Sequence, residues 1–315
     1  MDPYVKTVVS EELPVAEELK IKKLVVGSGN GPRVCIITGI HGDELEGQYV
    51  CFEMARRLRA SPEAVKGTVE IWPAINPLGV DSVCRGIPTF DLDMNRIFPG
   101  SYDGHMVERV ANQVVDDLAG ADMVVDIHSS NVFLYEMPQA RISQMTAQRL
   151  MPFAKLLNLD FIWVHEAATV LQSTIAHSLN SLGTPTLVVE MGIGMRITQE
   201  YGDRLVAGLF NLLAKMGVWG AIPVPASVSS PLVSTDGEVT MINSPFSGVV
   251  VNTAPHSSWV KPGTVLSQVV SPLTGDVLAD VKSPVEGLLF TQRGYPVVYE
   301  GSLIARIFSP NRKSN

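Results

Sequence analysis

RVCIITGIHGDELEG, residues 33–47, runs from an apolar, β-branched stretch into a glycine-containing turn and sets a histidine and a glutamate three residues apart just past its end. A strand that ends in such a turn and leads into a helix is the repeating unit of layered α/β sheets. Upstream, LKIKKLVVG (19–27) reads as a second strand across the turn-rich SGNGP. Downstream, LEGQYVCFEMARRLRA (45–60) repeats Leu45, Tyr49, Phe52 and Leu58 at helical spacing. TVEIWPAINP (68–77) is again strand-like, with NPLG (76–79) read as a turn after it. HMVERVANQVVDDLAG (105–120) places Val107, Val110, Val114 and Leu118 on one helical face, and ADMVVDIH (121–128) supplies another strand. The strand FIWVHE (161–166), the helix STIAHSLNSLG (173–183), the strand TPTLVVEMG (184–192) and the helix DRLVAGLFNLLAKMG (203–217) continue the alternation. The expectation is an α/β domain of three layers around a mostly parallel or mixed sheet, spanning residues 1–220.

The pattern breaks at residues 221–237, a Pro/Ser/Val-rich stretch read as a linker. Beyond it, over 238–310, no good helix period survives. INSPFSGVV (242–250) and VKSPVEGLL (281–289) lie 39 residues apart, and each is followed by a glycine-led apolar run, PGTVLSQVV and EGSLIARI. An internal repeat of this kind predicts a small all-β, barrel-like domain of two similar halves.

Composition narrows the function classes. With 46% hydrophobic residues in 315, the chain can bury one large core or two unequal ones. A formal charge of −8 and the absence of Lys/Arg clusters interleaved with aromatics argue against a nucleic-acid groove. RRLRA (56–60) reads as the solvated end of a helix. No run approaches the length of a membrane span, and MDPYVKTVVSEELP lacks the pattern of a secretory signal. Cys35, Cys51 and Cys84 form an odd set without CxxC spacing, which fits a reduced, cytoplasmic chain better than a disulfide framework.

In open α/β sheets, ligands gather beyond the carboxyl ends of the strands. His41 and Glu44, His128 and Glu190 all fall there. Two histidines and one carboxylate are a common catalytic zinc set, and one ion per chain is the expectation. His41 and Glu44 are close enough in sequence to approach one ion, His128 is the best third donor, and Asp126, on the same face of its strand, is placed to orient a neighbour. Glu190 then remains as a carboxylate at the end of an apolar strand, suited to moving a proton. Taken singly, each has a plainer account: His41 as a hydrogen-bonded loop histidine, Glu190 as a salt-bridged strand end. The excursion 83–100 carries Arg85, Asn95 and Arg96. Asn95 and Arg96 can grip a carboxylate and Arg85 can add a contact or polarise a carbonyl, while pairing of Arg96 with Asp91 or Asp93 is the structural alternative. His165, at another strand end, and Arg196, just past Glu190, are further candidates for substrate contact. His105 and His177 read as structural.

Together, HGDE, NPxG, DLDMNRIFPG, DIH and PTLVVEMG resemble the succinylglutamate desuccinylase and aspartoacylase family, a branch of the zinc carboxypeptidase-like fold, over most of residues 20–215. The resemblance implies that His41, Glu44 and His128 hold zinc and that Glu190 is the base. It also implies that Asn95 and Arg96 bind the substrate carboxylate and that Arg85 polarises the scissile carbonyl. The implied activity is hydrolysis of the amide of a small N-acyl amino acid or related N-acylated amine. Residues 242–308 also look like the two-fold barrel of biotinyl and lipoyl domains, but Lys282 lacks the Met-Lys context of the modified lysine, so an unmodified module is expected. Competing readings are a zinc carboxypeptidase on short peptides, a catalytically silent ligand-binding protein and an acyl-carrier module. A homo-oligomer is compatible with all of them.

Overall fold

The computed structural model describes residues 2–27, 29–166, 172–220 and 230–310. The chain forms β1 (Tyr4–Glu12), β2 (Glu18–Gly27), β3 (Arg33–Thr38), α1 (Glu46–Ala60), β4 (Thr68–Trp72), α2 (Pro77–Ser82), α3 (Met106–Leu118) and β5 (Met123–His128). It continues through β6 (Leu134–Ser143), α4 (Ala147–Ala154), β7 (Phe161–His165), α5 (Ile175–Ser181), β8 (Thr186–Gly192), α6 (Gln199–Lys215) and β9 (Leu232–Thr235). The remaining strands are β10 (Val239–Asn243), β11 (Gly248–Asn252), β12 (Trp259–Val260), β13 (Val265–Val270), β14 (Val277–Lys282), β15 (Gly287–Arg293), β16 (Val297–Val298) and β17 (Leu303–Phe308).

The sheet is mixed. Strands β4, β3, β5 and β8 run parallel at its centre, with β2 antiparallel on one side and β6 antiparallel on the other. Alternation along the buried β3 shows why both faces are covered: Val34 and Ile36 pack with α1 and α6, whereas Cys35 and Ile37 pack with α3 and α5.

Several expectations differ from the fold. In α1 the buried row is Val50, Met54 and Leu58, while Phe52 is exposed, so the apolar face is rotated from the one built on Tyr49 and Phe52. NPLG is the start of a helix and not a free turn: Asn76 accepts a hydrogen bond from the Gly79 N–H at 3.0 Å, and Pro77 occupies the first helical position. Of the segment read as a linker, 221–229 lies outside the described residues, and Leu232–Thr235 forms β9, parallel to β7. The strand β6 has no counterpart in the sequence reading.

The C-terminal halves are interlaced. Within each half, β11 pairs β13 and β15 pairs β17; between halves, β10 pairs β17, β14 pairs β13, β12 pairs β15 and β16 pairs β11. Two sheets result, covering a shared core that includes Val250, Leu266, Leu289 and Ile304. Only one of them joins the large sheet, through antiparallel pairing of β15 with β6.

Candidate active site

The turn after β3 is held tightly enough to fix the side chains of His41 and Glu44. The Gly42 N–H donates to the carbonyls of Cys84 and Arg85, and a Cβ on Gly42 would collide with the Gly79 carbonyl. Only glycine allows the HGDE turn to lie this close to the 79–85 segment. Nearby, parallel pairing of β5 with β8 sets His128 directly beside Glu190. The four strand-end residues thus converge on one cavity of about 670 Å³.

His41, Glu44 and His128 are all buried, and one ligand atom from each lies within 4.8 Å of the others. His41 Nδ1 is 2.8 Å from Glu44 Oε1 and His128 Nδ1 is 2.9 Å from Glu44 Oε2. The far side of each ring is held by another carboxylate: His41 Nε2 by Asp93 at 3.0 Å and His128 Nε2 by Asp126 at 3.0 Å. Carboxylates behind ligating imidazoles fix the ring and raise its basicity, so this donor set fits a metal ion on the Nδ1 side.

The electrostatics agree. Burial disfavours the charged form of His41, but the Glu44 charge and the hydrogen bonds to Asp93 and Glu44 outweigh it and raise the pKa. For His128 burial is again opposed, by Asp126 and Glu44, and its pKa lies well above the usual imidazole range. Glu44, despite complete burial, is held well below the ordinary carboxylate range by the two rings. A buried carboxylate between two imidazoles that favour positive charge is an environment a divalent cation would satisfy by replacing ring protons.

Glu190 is buried at the cavity wall. Its Oε2 accepts the Ser130 N–H at 2.5 Å and its Oε1 lies 3.2 Å from Arg141 Nη1. Arg85 contacts Glu44 at 3.0 Å and Asp93 at 3.3 Å, which brings it against the cluster of His41, Glu44 and His128. Asn95 is fixed through Oδ1, which accepts the Ile175 N–H at 3.0 Å. The exposed Arg96 donates to the Asn95 carbonyl at 2.8 Å; its charge helps to lower the Asp93 pKa, but Asp93 makes its ion pairs with His41 and Arg85. His165 lines the cavity, and so does His177, read from sequence as structural. Arg196 is exposed and is not among the cavity-lining residues.

Sequence reasoning passes over Ser130, Arg141 and Arg306, which line the cavity, and Glu136, buried behind them, which contacts all three. The available signal was charge inside strands: Glu136 and Arg141 in LYEMPQARIS, and Arg306 within LIARIF. A charge in an otherwise apolar strand is costly unless it is paired or used.

The chain is 28% identical, over 313 residues, to the N-alpha-acetyl-L-2,4-diaminobutyric acid deacetylase of Halomonas elongata, covering 96% of this chain and 90% of that one. The product-bound ectoine utilization protein EutE (DoeB) of Ruegeria pomeroyi superposes with a TM-score of 0.84 at 21% identity, over 98% of this chain and 95% of its own. A succinylglutamate desuccinylase/aspartoacylase of Rhodobacter sphaeroides gives a TM-score of 0.83 at 24% identity, with the same coverage of 98% and 95%. The family model of the succinylglutamate desuccinylase/aspartoacylase catalytic domain matches residues 30–216, the span that supplies His41, Glu44, His128 and Glu190, and the chain belongs to that family.

Proposed function

We propose that this protein is a zinc-dependent hydrolase that cleaves the amide bond of a small N-acyl amino acid or related N-acylated amine. The observation that carries the reading is the convergence of His41, Glu44 and His128 beside Glu190 on one cavity. His41, Glu44 and His128 would hold the ion, which supplies Lewis acidity to the reacting centre. Glu190 takes a proton from the attacking water and delivers it to the leaving nitrogen, so that amide plus water gives carboxylic acid plus amine. Arg85 and the Asn95–Arg96 pair orient the substrate, Arg96 through its carboxylate. Asp126 and Asp93 keep the two imidazoles turned toward the ion. The 28% identity to a deacetylase of an acetylated diamino acid supports an acetyl-sized acyl group.

The same reading divides the chain into a catalytic domain over 1–220, a connector over 221–237 and an unmodified barrel-like module over 238–310. Its support is the separate core formed by Ile242, Val269, Ala305 and their neighbours.

The test combines metal content with turnover of N-acetyl, N-succinyl and N-formyl amino acids, Nα-acetyl-L-2,4-diaminobutyrate included. About one zinc per chain is expected, lost together with activity in His41→Ala, Glu44→Ala and His128→Ala. Glu190→Gln should keep zinc and lose at least about 100-fold in kcat, the lower end of general acid–base contributions. Full zinc with wild-type kcat in Glu190→Gln would remove the base assignment.

A further inference from the structure

The cavity wall behind Glu190 is built partly by the C-terminal strands. Glu136 on β6 is fully buried and lies opposite Thr291 of β15, which in turn lies opposite Arg306 of β17. Its carboxylate accepts from Thr291 Oγ1, from Gln139 Nε2 at 2.9 Å, from Arg141 Nη2 at 3.0 Å and from Arg306 Nη1 at 2.9 Å. Ser130 Oγ is 3.2 Å from the same group. Arg141 also holds Glu190, at 3.2 Å through its other terminal nitrogen. The Trp163 ring packs against both guanidinium groups, with its centroid 5.7 Å from Arg141 Cζ and 5.6 Å from Arg306 Cζ.

Two carboxylates and two guanidinium groups thus form one chain of contacts, Arg306 to Glu136 to Arg141 to Glu190, with Glu136 buried behind the lining residues. We propose that Arg306 is a positioning residue for the reaction: it shares the charge of Glu136 with Arg141 and so lets Arg141 bridge to Glu190, whose other oxygen is fixed by the Ser130 N–H. The inference rests on the assignment of Glu190 as the base. Were Arg306 neutral, Glu136 and Glu190 would compete for the single cation of Arg141. Glu136, the more deeply buried of the two, would hold it more strongly, because an unpaired charge is costlier there. Glu190 would then keep its backbone contact but lose the one that fixes its rotation. The C-terminal strands thus take part in positioning the proposed base.

The experiment uses the full-length, zinc-loaded protein, with Nα-acetyl-L-2,4-diaminobutyrate or the best substrate of the panel. Arg306→Gln should lower kcat about 10- to 100-fold, the scale of a small misplacement of a reacting group, with KM changed less than about threefold and zinc retained. Arg306→Lys should recover most of the loss. In a Glu190→Gln background the same Arg306 substitution should cost nothing more, since the group it positions is gone. The paired variant Glu136→Gln/Arg306→Gln removes the competing carboxylate and should return kcat to within about threefold of wild type. If Arg306→Gln alone does not fold, the paired variant still decides the matter through its kcat. A loss confined to KM would make Arg306 a substrate contact. An equal further loss in the Glu190→Gln background, or more than about a tenfold loss of kcat in the paired variant, would overturn the proposal. Wild-type kcat in Glu190→Gln would remove the base reading and this one with it. An inactive Glu190→Gln beside a fully active Arg306→Gln would remove this one alone.

Discussion

The two C-terminal halves share a sequence pattern and a strand arrangement, yet they face different surroundings. β11 lies in the sheet that stands apart from the catalytic sheet, and its Val251 is 47% exposed; at the equivalent position of β15, Phe290 is 0% exposed and stacks on Phe161 of β7. Gln268 of β13 reaches the exposed Asp280 at 3.0 Å, whereas its counterpart Arg306 reaches the buried Glu136 at 2.9 Å. One repeat pattern therefore serves as solvated surface in the first half and as the supporting wall of a site in the second. What differs is docking: pairing of β15 with β6 buries one copy and leaves the other exposed.

Substitutions at matched positions sharpen that contrast. The largest effect is expected at the docked face. Phe290→Ala should destabilise the protein by about 3–5 kcal/mol, through lost burial and the cavity left behind, against about 0.5 kcal/mol or less for Val251→Ala. Denaturant midpoints at constant m-value measure both, and equal losses would mean that the docking contributes nothing. Next comes Thr291→Val, which removes a donor from buried Glu136 and should cost about 1–3 kcal/mol. The matched Asn252→Ala should cost less, about 0.5–1.5 kcal/mol, because the residue is exposed although it accepts from the buried Ser267 hydroxyl at 2.8 Å.

A graded effect is expected from pH. Burial pushes the Glu136 pKa up, but Arg141 and Arg306 outweigh it and hold the group below its ordinary value of 4.5. The unfolded chain therefore binds this proton more readily than the folded one. The contribution to stability is fully present above pH 4.5 and disappears as pH falls through the folded-state value. Stability curves for wild type and Glu136→Gln should converge as the solution is acidified below that point, and parallel curves would contradict the pairing. Smallest of all, Gln268→Ala should change stability by about 0.5 kcal/mol or less, as a solvated strand contact should.

The sequence was most informative where local pattern and chemistry coincided. His41, Glu44, His128 and Glu190 were legible because each follows or ends an apolar run, and strand ends are where such sheets bind ligands. β6 was not legible. Pro138 interrupts it, and Glu136 and Arg141 break its apolar pattern, features that argue against a central strand when neighbours are unknown. In the fold, the register shift between Glu136 and Gln139 spans the proline, and β8 and β15 supply the pairing. The internal repeat was visible, but the destination of Arg306 was not, since its contacts, Glu136 on β6 and Trp163 on β7, lie on strands distant in sequence. Asp93 was weighed only as a partner for Arg96, because its contact with His41 depends on how the 83–100 excursion folds back.

Strand exchange between the halves also bears on how the protein reaches its native state. β10 pairs with β17 and β13 with β14, so neither half can finish its own sheet before the other has formed. Arg306 and Glu136 stand 170 residues apart, and their contact comes only after that mutual closure. Long-range pairings of this kind require chain entropy to be lost before the stabilising contacts form, and they slow folding. The βα units that carry His41, Glu44 and His128 close over shorter loops and can assemble earlier. The kinetic consequence is an order of events: a folding chain gathers His41, Glu44 and His128 first, and completes the contacts behind Glu190 only when its last strands are in place.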